Sequence, residues 1–266
     1  VLFKAGKWLT ETKTDTPLER SGWAQVDPGC STMIRYAASD VIDDAALAAG
    51  LVPQAVIGEP EVLEDVRADV AETPGLAAAA GRSANPAIRT MATIGGNLAA
   101  SDFAAADCVP ALLCLDADVE ISGRDGCEHL SLTDFLKIRS TLVPGRLVTR
   151  IILPRSERKT AHVRLPLRRS GDYPVAIVSL SVSLDAASRV RAARIAVGSV
   201  EAAARRWPRL EAALLGRPLD ALEAARTAAE LTDEFAGRDG VDAPAWYRVS
   251  VLPGLVRRAA IAALGS

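Results

Sequence analysis

The sequence of 266 residues has few of the groups on which many active sites and membrane proteins depend. It contains 2 histidines and 4 cysteines, and aromatic residues make up only 4% of the chain. No apolar run reaches the roughly 18 residues of a membrane span, so no membrane-spanning helix is predicted. The first residues also lack the apolar core of a secretory signal, and a cytoplasmic protein is expected.

An excess of charge of one sign is missing as well. The chain has 31 Lys and Arg residues against 33 Asp and Glu residues. Nucleic-acid binders usually carry a concentrated positive charge, so no nucleic-acid partner is expected. The motifs G-x-S-x-G, G-x-x-x-x-G-K-[ST] and G-x-G-x-x-G are not found, which removes the usual sequence support for a serine hydrolase or a P-loop enzyme.

The four cysteines lie at scattered positions, namely Cys30, Cys108, Cys114 and Cys127. No two form a C-x-x-C pair, so neither an iron–sulfur cluster nor structural zinc is expected in this chain. Cys108 and Cys114 lie in an apolar run and are predicted to pack as small hydrophobic residues. His129 and His162 have no metal-ligand spacing and are interpreted as surface or hydrogen-bonded residues. No metal site is predicted.

The most informative motif that is present is Thr93-Ile94-Gly95-Gly96-Asn97. Adjacent glycines let a backbone turn tightly and approach a ligand, because no Cβ is in the way. Bare backbone N–H groups in such a bend, with side-chain donors from Thr93 and Asn97, can hold a pyrophosphate. The residues before the motif are interpreted as a strand-like approach. The alternative is that the glycines only make a turn.

The wider segment Asn85–Ala99 resembles the second FAD-contacting segment of the flavoprotein subunits of molybdenum hydroxylases. This family includes the medium subunit of aerobic carbon monoxide dehydrogenase and the FAD domain of xanthine dehydrogenase. The resemblance covers most of the chain from about Ile57 onward, and it continues at Asp107–Glu120, Phe135, Pro144–Leu147, Asp172–Ser179 and Arg194–Val200. The order and spacing of these segments together are highly specific.

The resemblance implies a set of residues that line the pyrophosphate and ribityl region of FAD, namely Thr93, Ile94, Gly95, Gly96 and Asn97. It also implies that a later acidic residue, Asp107, helps to hold the cofactor. One extra residue separates Asn97 from Asp107 in this chain, so Asp102 is the alternative. The alternative is that Asp107 is only a charged residue in the first turn of a helix, where a negative charge is favourable.

Two other parts of the family pattern are altered here. The first glycine-rich loop corresponds to Asp27–Thr32, where Pro28 has no N–H to donate and Asp27 would repel phosphate. Gly29 and Ser31 remain as candidate cofactor-binding residues.

The region Arg164–Tyr173 lacks the Lys that the family often has. Arg168 or Arg169 is the candidate replacement, unless both are solvated charges beside a strand. Tyr173 either packs against the isoalloxazine ring or fills the core, and no catalytic residue is assigned.

The predicted fold class is α+β, with two domains. The resemblance implies an FAD-binding domain of the vanillyl-alcohol-oxidase (PCMH-like) type, made of two small α/β subdomains, over residues 1–156. A charged linker is predicted at 155–160. An α+β C-terminal domain with a three-stranded antiparallel sheet and helices is expected over residues 160–266.

Hydrophobic periodicity gives the individual elements. Before the linker, strands are predicted at Val56–Gly58, Asp118–Ile121 and Leu147–Leu153, and helices at Leu63–Val70, Leu76–Gly81 and Ala104–Leu115. Thr73-Pro74-Gly75 is predicted to end the first of these helices. After the linker, strands are predicted at Val163–Leu165, Val175–Leu184 and Val190–Ser199, and helices at Trp207–Leu215, Leu219–Phe235 and Ala245–Leu264.

Three functional hypotheses follow. The first is an FAD-dependent electron-transfer subunit of a molybdenum-hydroxylase-type oxidoreductase. It would take electrons from an iron–sulfur small subunit, in a complex with a molybdopterin large subunit, and pass them to an external acceptor. The second is a diverged member that has lost or altered FAD binding and serves as a biosynthetic enzyme or interaction subunit, as the altered first loop suggests. The third is a stand-alone flavin oxidoreductase.

Overall fold

Two antiparallel sheets organise the part of the chain that the structure describes. The computed structural model describes residues 53–58, 73–124, 126–142, 145–154, 157–167 and 173–265. The strands are β1 Pro53–Gly58, β2 Asp118–Gly123, β3 Gly126–Ser131, β4 Leu147–Pro154, β5 Lys159–Pro166, β6 Pro174–Leu184, β7 Val190–Gly198 and β8 Arg205–Arg206. One sheet has the order β1-β4-β2-β3 and the other has the order β5-β6-β7-β8.

Helices pack on both sheets. They are α1 Pro74–Arg82, α2 Pro86–Arg89, α3 Ile94–Ala99, α4 Cys108–Cys114, α5 Leu132–Ile138, α6 Pro208–Leu214, α7 Ala221–Glu230, α8 Ala245–Ser250 and α9 Leu252–Leu264. Pro74 and Pro208 lie in the first turn of α1 and α6, where proline loses no helical hydrogen bond. The segment Thr73-Pro74-Gly75 was predicted to end a helix, and in the structure it begins α1. None of the helices in the described ranges has the length and apolar character needed to cross a bilayer.

The first sheet buries the apolar residues of β2 against the helices. Val119 and Ile121 are fully buried and belong to one core cluster with Leu76 of α1 and Phe135 of α5. Val119 pairs with β3 on one side and with β4 on the other. The hairpin between β2 and β3 ends at Gly126, whose φ of 110° is a conformation that residues with a side chain rarely adopt.

The second sheet is covered on both faces. Val178, Leu180 and Val182 of β6 pack into a core cluster with residues of α6, α7 and α9. The opposite face meets α4, where Cys114 Sγ donates a hydrogen bond of 3.1 Å to Ser179 O. A Cβ on Gly198 of β7 would lie 3.0 Å from Pro110 Cγ of α4. The two sheets are thus joined through α4.

The α+β architecture is confirmed, and the structure corrects several details. The predicted three-stranded sheet has a fourth strand, because the two residues of β8 pair with Ala196 and Val197 of β7. The predicted linker is too long, since Lys159 and Thr160 already belong to β5. The domain bounds at 156 and 160 stay a prediction.

The predicted helices also change at their ends. The helix expected from Ala104 begins only at Cys108. The helix expected over 245–264 is divided at Val251, just before the proline-containing first turn of α9. The strand β3 and the helix α5 were not predicted. The helix expected at Leu63–Val70 lies outside the described residues.

Candidate functional site

The glycine motif lies in the first turn of the short helix α3. Thr93 is extended, with φ −89° and ψ 159°, and its Oγ1 accepts a hydrogen bond of 2.9 Å from Gly96 N. The prediction of a bare amide at Gly96 is therefore wrong, because Thr93 caps the helix. The predicted strand-like approach is also wrong, since the preceding element is α2, capped by Asn85.

Burial explains why a helix forms over two glycines. Glycine is about 1 kcal/mol less favourable than alanine inside a helix. Ile94 and Leu98, one turn apart, are both fully buried in the first core and hold α3 there. Gly96 is exposed, and a Cβ there would lie 3.0 Å from Thr93 Oγ1. Gly96 thus exposes its backbone at the start of α3, where its amide is paired with Thr93 Oγ1.

Asn97 connects α3 to α4. Its Oδ1 accepts a hydrogen bond of 3.3 Å from Cys108 N, the first amide of α4. Next to it, Arg139 Nη1 donates to Leu98 O at 2.8 Å. Burial lowers the pKa of Arg139, and the negative charge of Asp102 opposes that change. The segment between the two helices is therefore anchored close to the motif.

Asp107 faces the second sheet. It is 2% exposed, and its Oδ1 lies 3.3 Å from His162 Nε2 and 3.5 Å from Arg164 Nε. Asp107 and His162 are separated by 55 positions, so no local pattern in the sequence could connect them. The alternative acidic residue, Asp102, is exposed. Of the two acidic residues, Asp107 is the one that is buried and held by neighbouring side chains.

Tyr173 lies at the surface, so the alternative that it fills the core is wrong. Its side chain is 61% exposed. Its ring meets that of Phe103 edge-on, with centroids 5.2 Å apart and an interplanar angle of 72°. Phe103 belongs to the segment between α3 and α4. This aromatic pair therefore links the start of β6 to the segment that joins the motif to Asp107.

Some of the remaining residues named in the sequence analysis are described by the structure, and others are not. Cys108 and Cys114 are buried as predicted. His162 is hydrogen-bonded, and His129 is half-exposed beside Glu120. Within the described ranges, no group of three or more His, Cys, Asp and Glu residues could hold a metal ion. The other candidates lie outside the described residues: Asp27, Pro28, Gly29, Ser31, Arg168 and Arg169.

Comparison with known proteins gives two family matches in succession. The FAD binding domain in molybdopterin dehydrogenase matches residues 54–156. The CO dehydrogenase flavoprotein C-terminal domain matches residues 161–263.

Curated relatives align over most of the chain. The nicotine 6-hydroxylase medium subunit of Paenarthrobacter nicotinovorans is 30% identical over 192 residues, which cover 71% of this chain and 67% of that subunit. The 6-hydroxypseudooxynicotine dehydrogenase complex subunit alpha of the same organism is 31% identical and is covered to 65% of its length. The carbon monoxide dehydrogenase medium chain of Afipia carboxidovorans is 33% identical, over 66% of this chain and 62% of the relative. The alignments thus span about two thirds of these relatives' length.

Solved structures share the fold. Reconstituted CO dehydrogenase from Oligotropha carboxidovorans superposes with a TM-score of 0.71 at 25% identity, over 79% of this chain and 75% of that chain. Quinoline 2-oxidoreductase from Pseudomonas putida 86 gives a TM-score of 0.69 at 26% identity, with the same coverage. The chain therefore belongs to the family of FAD-binding flavoprotein subunits of molybdenum hydroxylases, and FAD is its cofactor.

Proposed function

We propose that this chain is the electron-transfer subunit of a molybdenum-hydroxylase-type oxidoreductase. It takes electrons from iron–sulfur clusters on a partner subunit and passes them to an external acceptor. The observation that carries the proposal is the succession of the two flavoprotein family domains on one chain. Bound FAD supplies the redox chemistry, and the protein binds and orients it.

Three features of the described residues fit such a cofactor. Gly96 presents backbone at a position where a Cβ would crowd Thr93. The start of α3 suits a diphosphate because a helix N-terminus carries partial positive charge. Asp107, the acidic residue that the resemblance assigns to the cofactor, is held in place by His162, whose Nε2 lies 3.3 Å from Asp107 Oδ1. The proposed cofactor-binding residues are Thr93, Ile94, Gly95, Gly96, Asn97 and Asp107, with Gly29 and Ser31 of the first loop.

The proposed partners are an iron–sulfur small subunit and a molybdopterin large subunit. Support comes from the relatives, which are named as medium chains or as a subunit of a dehydrogenase complex. Copurification of the tagged chain with an iron–sulfur chain and a molybdenum chain from its source cells tests this part. Recovery of the chain with FAD but with neither partner would favour the stand-alone oxidoreductase.

Titration of the apo-protein with FAD, followed by flavin fluorescence, tests the site. We expect saturable binding at one site. Gly96→Leu is expected to weaken it by about tenfold or more, because a side chain displaces the Thr93 cap and blocks approach to the backbone. Gly254→Leu is the matched control, since nothing lies within 4 Å of a Cβ at that helical glycine.

The two possible failures have different meanings. Equal FAD affinity in the wild type and in Gly96→Leu would contradict the placement of the cofactor at α3. A folded wild-type chain that takes up no FAD would favour the diverged family member that has lost the cofactor.

A further inference from the structure

The helix α3, which contains the glycine motif, is too short to be stable by itself. It has six residues, Ile94–Ala99, and two of them are glycines. Isolated helices of fewer than about 12 residues are marginal in water, and each glycine lowers helix stability further. The conformation of the motif therefore depends on contacts that other parts of the chain make with α3.

Arg139 makes such a contact at the far end of α3. Its Nη1 donates a hydrogen bond of 2.8 Å to Leu98 O, across 41 positions of the sequence. The carbonyl groups in the last turn of a helix have no amide partner within that helix, and they carry partial negative charge. A guanidinium at this place supplies both a donor and a favourable positive charge.

The end of α5 fixes the position of Arg139. The backbone N–H of Arg139 donates to Phe135 O, and Phe135 is fully buried in the same core cluster as Ile94 and Leu98. The first core thus holds both α3 and the backbone of Arg139. Because Arg139 is only 7% exposed, little water competes for its bond to Leu98.

The partners of Arg139 distinguish it from Arg248, another buried arginine. Arg248 is paired with the carboxylate of Asp242. In the described ranges, the guanidinium of Arg139 has the hydrogen bond to Leu98 O, and Asp102 acts on it through charge alone. Burial lowers the pKa of Arg139, since a buried charge loses its hydration. An ion pair therefore does not account for this buried cation, whereas its contact with α3 gives it a role.

We propose that Arg139 is a positioning residue of the FAD site, which holds the end of α3 so that the glycine motif at the start of the helix keeps the conformation that binds the cofactor. The inference rests on the proposed function. Arg139 acts through α3 and not by contact with FAD. A helix that is already ordered loses less entropy when the ligand binds, so Arg139 raises the affinity for FAD.

Titration of the full chain with FAD tests the proposal. Arg139→Met removes the donors and the charge and is expected to weaken binding by about tenfold, the effect of losing one hydrogen bond to a charged group. Arg139→Lys keeps a charged donor and is expected to recover part of this loss. Circular dichroism of each apo-variant establishes folding, and Arg139→Gln replaces Arg139→Met if the latter does not fold.

Chemical rescue separates the guanidinium from the rest of the side chain. Guanidinium ion at millimolar, non-denaturing concentration should restore part of the FAD affinity of Arg139→Ala, because it can occupy the vacated place beside Leu98 O. It should not improve binding by Gly96→Leu, in which the motif itself is blocked. Absence of rescue in Arg139→Ala would contradict the role of the guanidinium.

A variant that is destabilised elsewhere separates positioning from general damage. Leu252 of α9 is fully buried in the second core, so Leu252→Ala lowers stability through a cavity. Well below its melting temperature, its affinity for FAD should stay within about threefold of the wild type. A tenfold loss in Leu252→Ala as well would show that weak binding by Arg139→Met reports only lower stability.

Hydrogen exchange measures the effect on α3 directly. The amides of Asn97 and Ala100 donate to Thr93 O and Gly96 O, and they should exchange faster in apo Arg139→Met, while the amides of β6 exchange as in the wild type. Unchanged exchange and unchanged FAD affinity in folded Arg139→Met overturn the positioning role, although the proposed function stands. A folded wild-type chain that takes up no FAD overturns both.

Discussion

Cys108 and Cys114 illustrate how burial controls reactivity at the scale of one residue. Both lie in α4 and are fully covered. Burial raises the pKa of both thiols well above the usual range, and the negative charges of Asp107 and Glu211 add to the effect at Cys108 and Cys114 respectively. Because the thiolate is the nucleophile, neither side chain is suited to redox or covalent chemistry in the folded state.

We therefore expect neither thiol to be alkylated by iodoacetamide in the native protein at pH 8. Both should react once the chain is unfolded in urea. Peptide mass spectrometry before and after denaturation measures the two cases. Alkylation of Cys108 in the folded protein at the rate of a free thiol would contradict the buried placement of α4.

The conformation of the motif was not predictable from its residues. The sequence pointed to a close approach of the backbone to a ligand, which stays a prediction, whereas the group that crowds a Cβ at Gly96 is Thr93 Oγ1. Two glycines favour a loop by propensity, and the helix exists because Ile94 and Leu98 are buried. The local sequence does not reveal that packing against the core outweighs the low helix propensity of glycine. The Thr93 cap did have a signal in the sequence, because a hydroxyl residue stands just before a buried Ile. The interpretation of the motif as a loop did not use this signal.

At the scale of elements, Arg248 of α8 joins three parts of the chain. Its fully buried guanidinium donates to Val175 O at 2.7 Å, to Ser199 O at 3.2 Å and to both oxygens of Asp242 at 2.7 Å. Ser199 has a φ of 63°, and its N–H donates to Ala104 O at 3.0 Å. The helix α8 thus holds the start of β6, the end of β7 and the segment before α4.

Arg248→Met is expected to lower the free energy of unfolding by about 3 to 5 kcal/mol, since it leaves buried acceptors without their donor. Arg248→Lys should recover part of this, because the charge remains but the planar fork of donors does not. Urea unfolding followed by circular dichroism measures both. The exposed Arg257→Met is the control, with an expected change within about 0.5 kcal/mol. A loss below about 1 kcal/mol in Arg248→Met would show that other contacts hold these elements.

The pattern of elements was predicted better than their ends. Long buried strands such as β6 have a strong signal, and β6 lies where it was predicted. The short strand β8 has two residues and no periodicity, so only its pairing with β7 reveals it. Arg248 was missed for a related reason, because a buried arginine on a helix has the same local sequence as an exposed one.

At the scale of the whole molecule, Asp116 links the first core to the second sheet. It follows α4, and its carboxylate lies 2.8 Å from Arg158, 3.0 Å from Arg194 and 3.4 Å from Arg206. Partial burial acts to raise the pKa of Asp116, but hydrogen bonds from Arg158 and Arg194 outweigh it and lower the pKa below the usual value. The carboxylate is therefore stabilised in its charged form.

A carboxylate with a lowered folded pKa stabilises the protein above its unfolded pKa, and this contribution is lost as the pH falls through the folded value. We expect the melting temperature of the wild type to decrease when the pH is lowered below about 4. Asp116→Asn should be less stable at neutral pH and should lose less on acidification. Asn tolerates the positive φ of 53° at this position, so the substitution isolates the charge.

Thermal melts between pH 2.5 and 7 compare the two proteins. Parallel curves over the whole range would show that the ion pairs of Asp116 do not contribute to stability. Arg248 also lowers the pKa of Asp242 against the effect of burial. Asp242 is present in both proteins, so its contribution to the loss of stability on acidification is the same in both.

The order of segments made the overall architecture predictable, whereas long-range partners were not. Family resemblance implied an FAD-binding domain and a following α+β domain, and the comparisons bear this out. Contacts such as Asp116 with Arg194, 78 positions apart, depend on how α4 docks on β7. No spacing rule in the sequence encodes that docking.

The bond between Asn97 and Cys108 also has an evolutionary consequence. It closes the intervening stretch into a loop whose two ends are pinned by one carboxamide. Chain length between pinned ends changes the entropy of closure only slowly. An insertion in this stretch can therefore be accommodated without disturbing the glycine helix or α4.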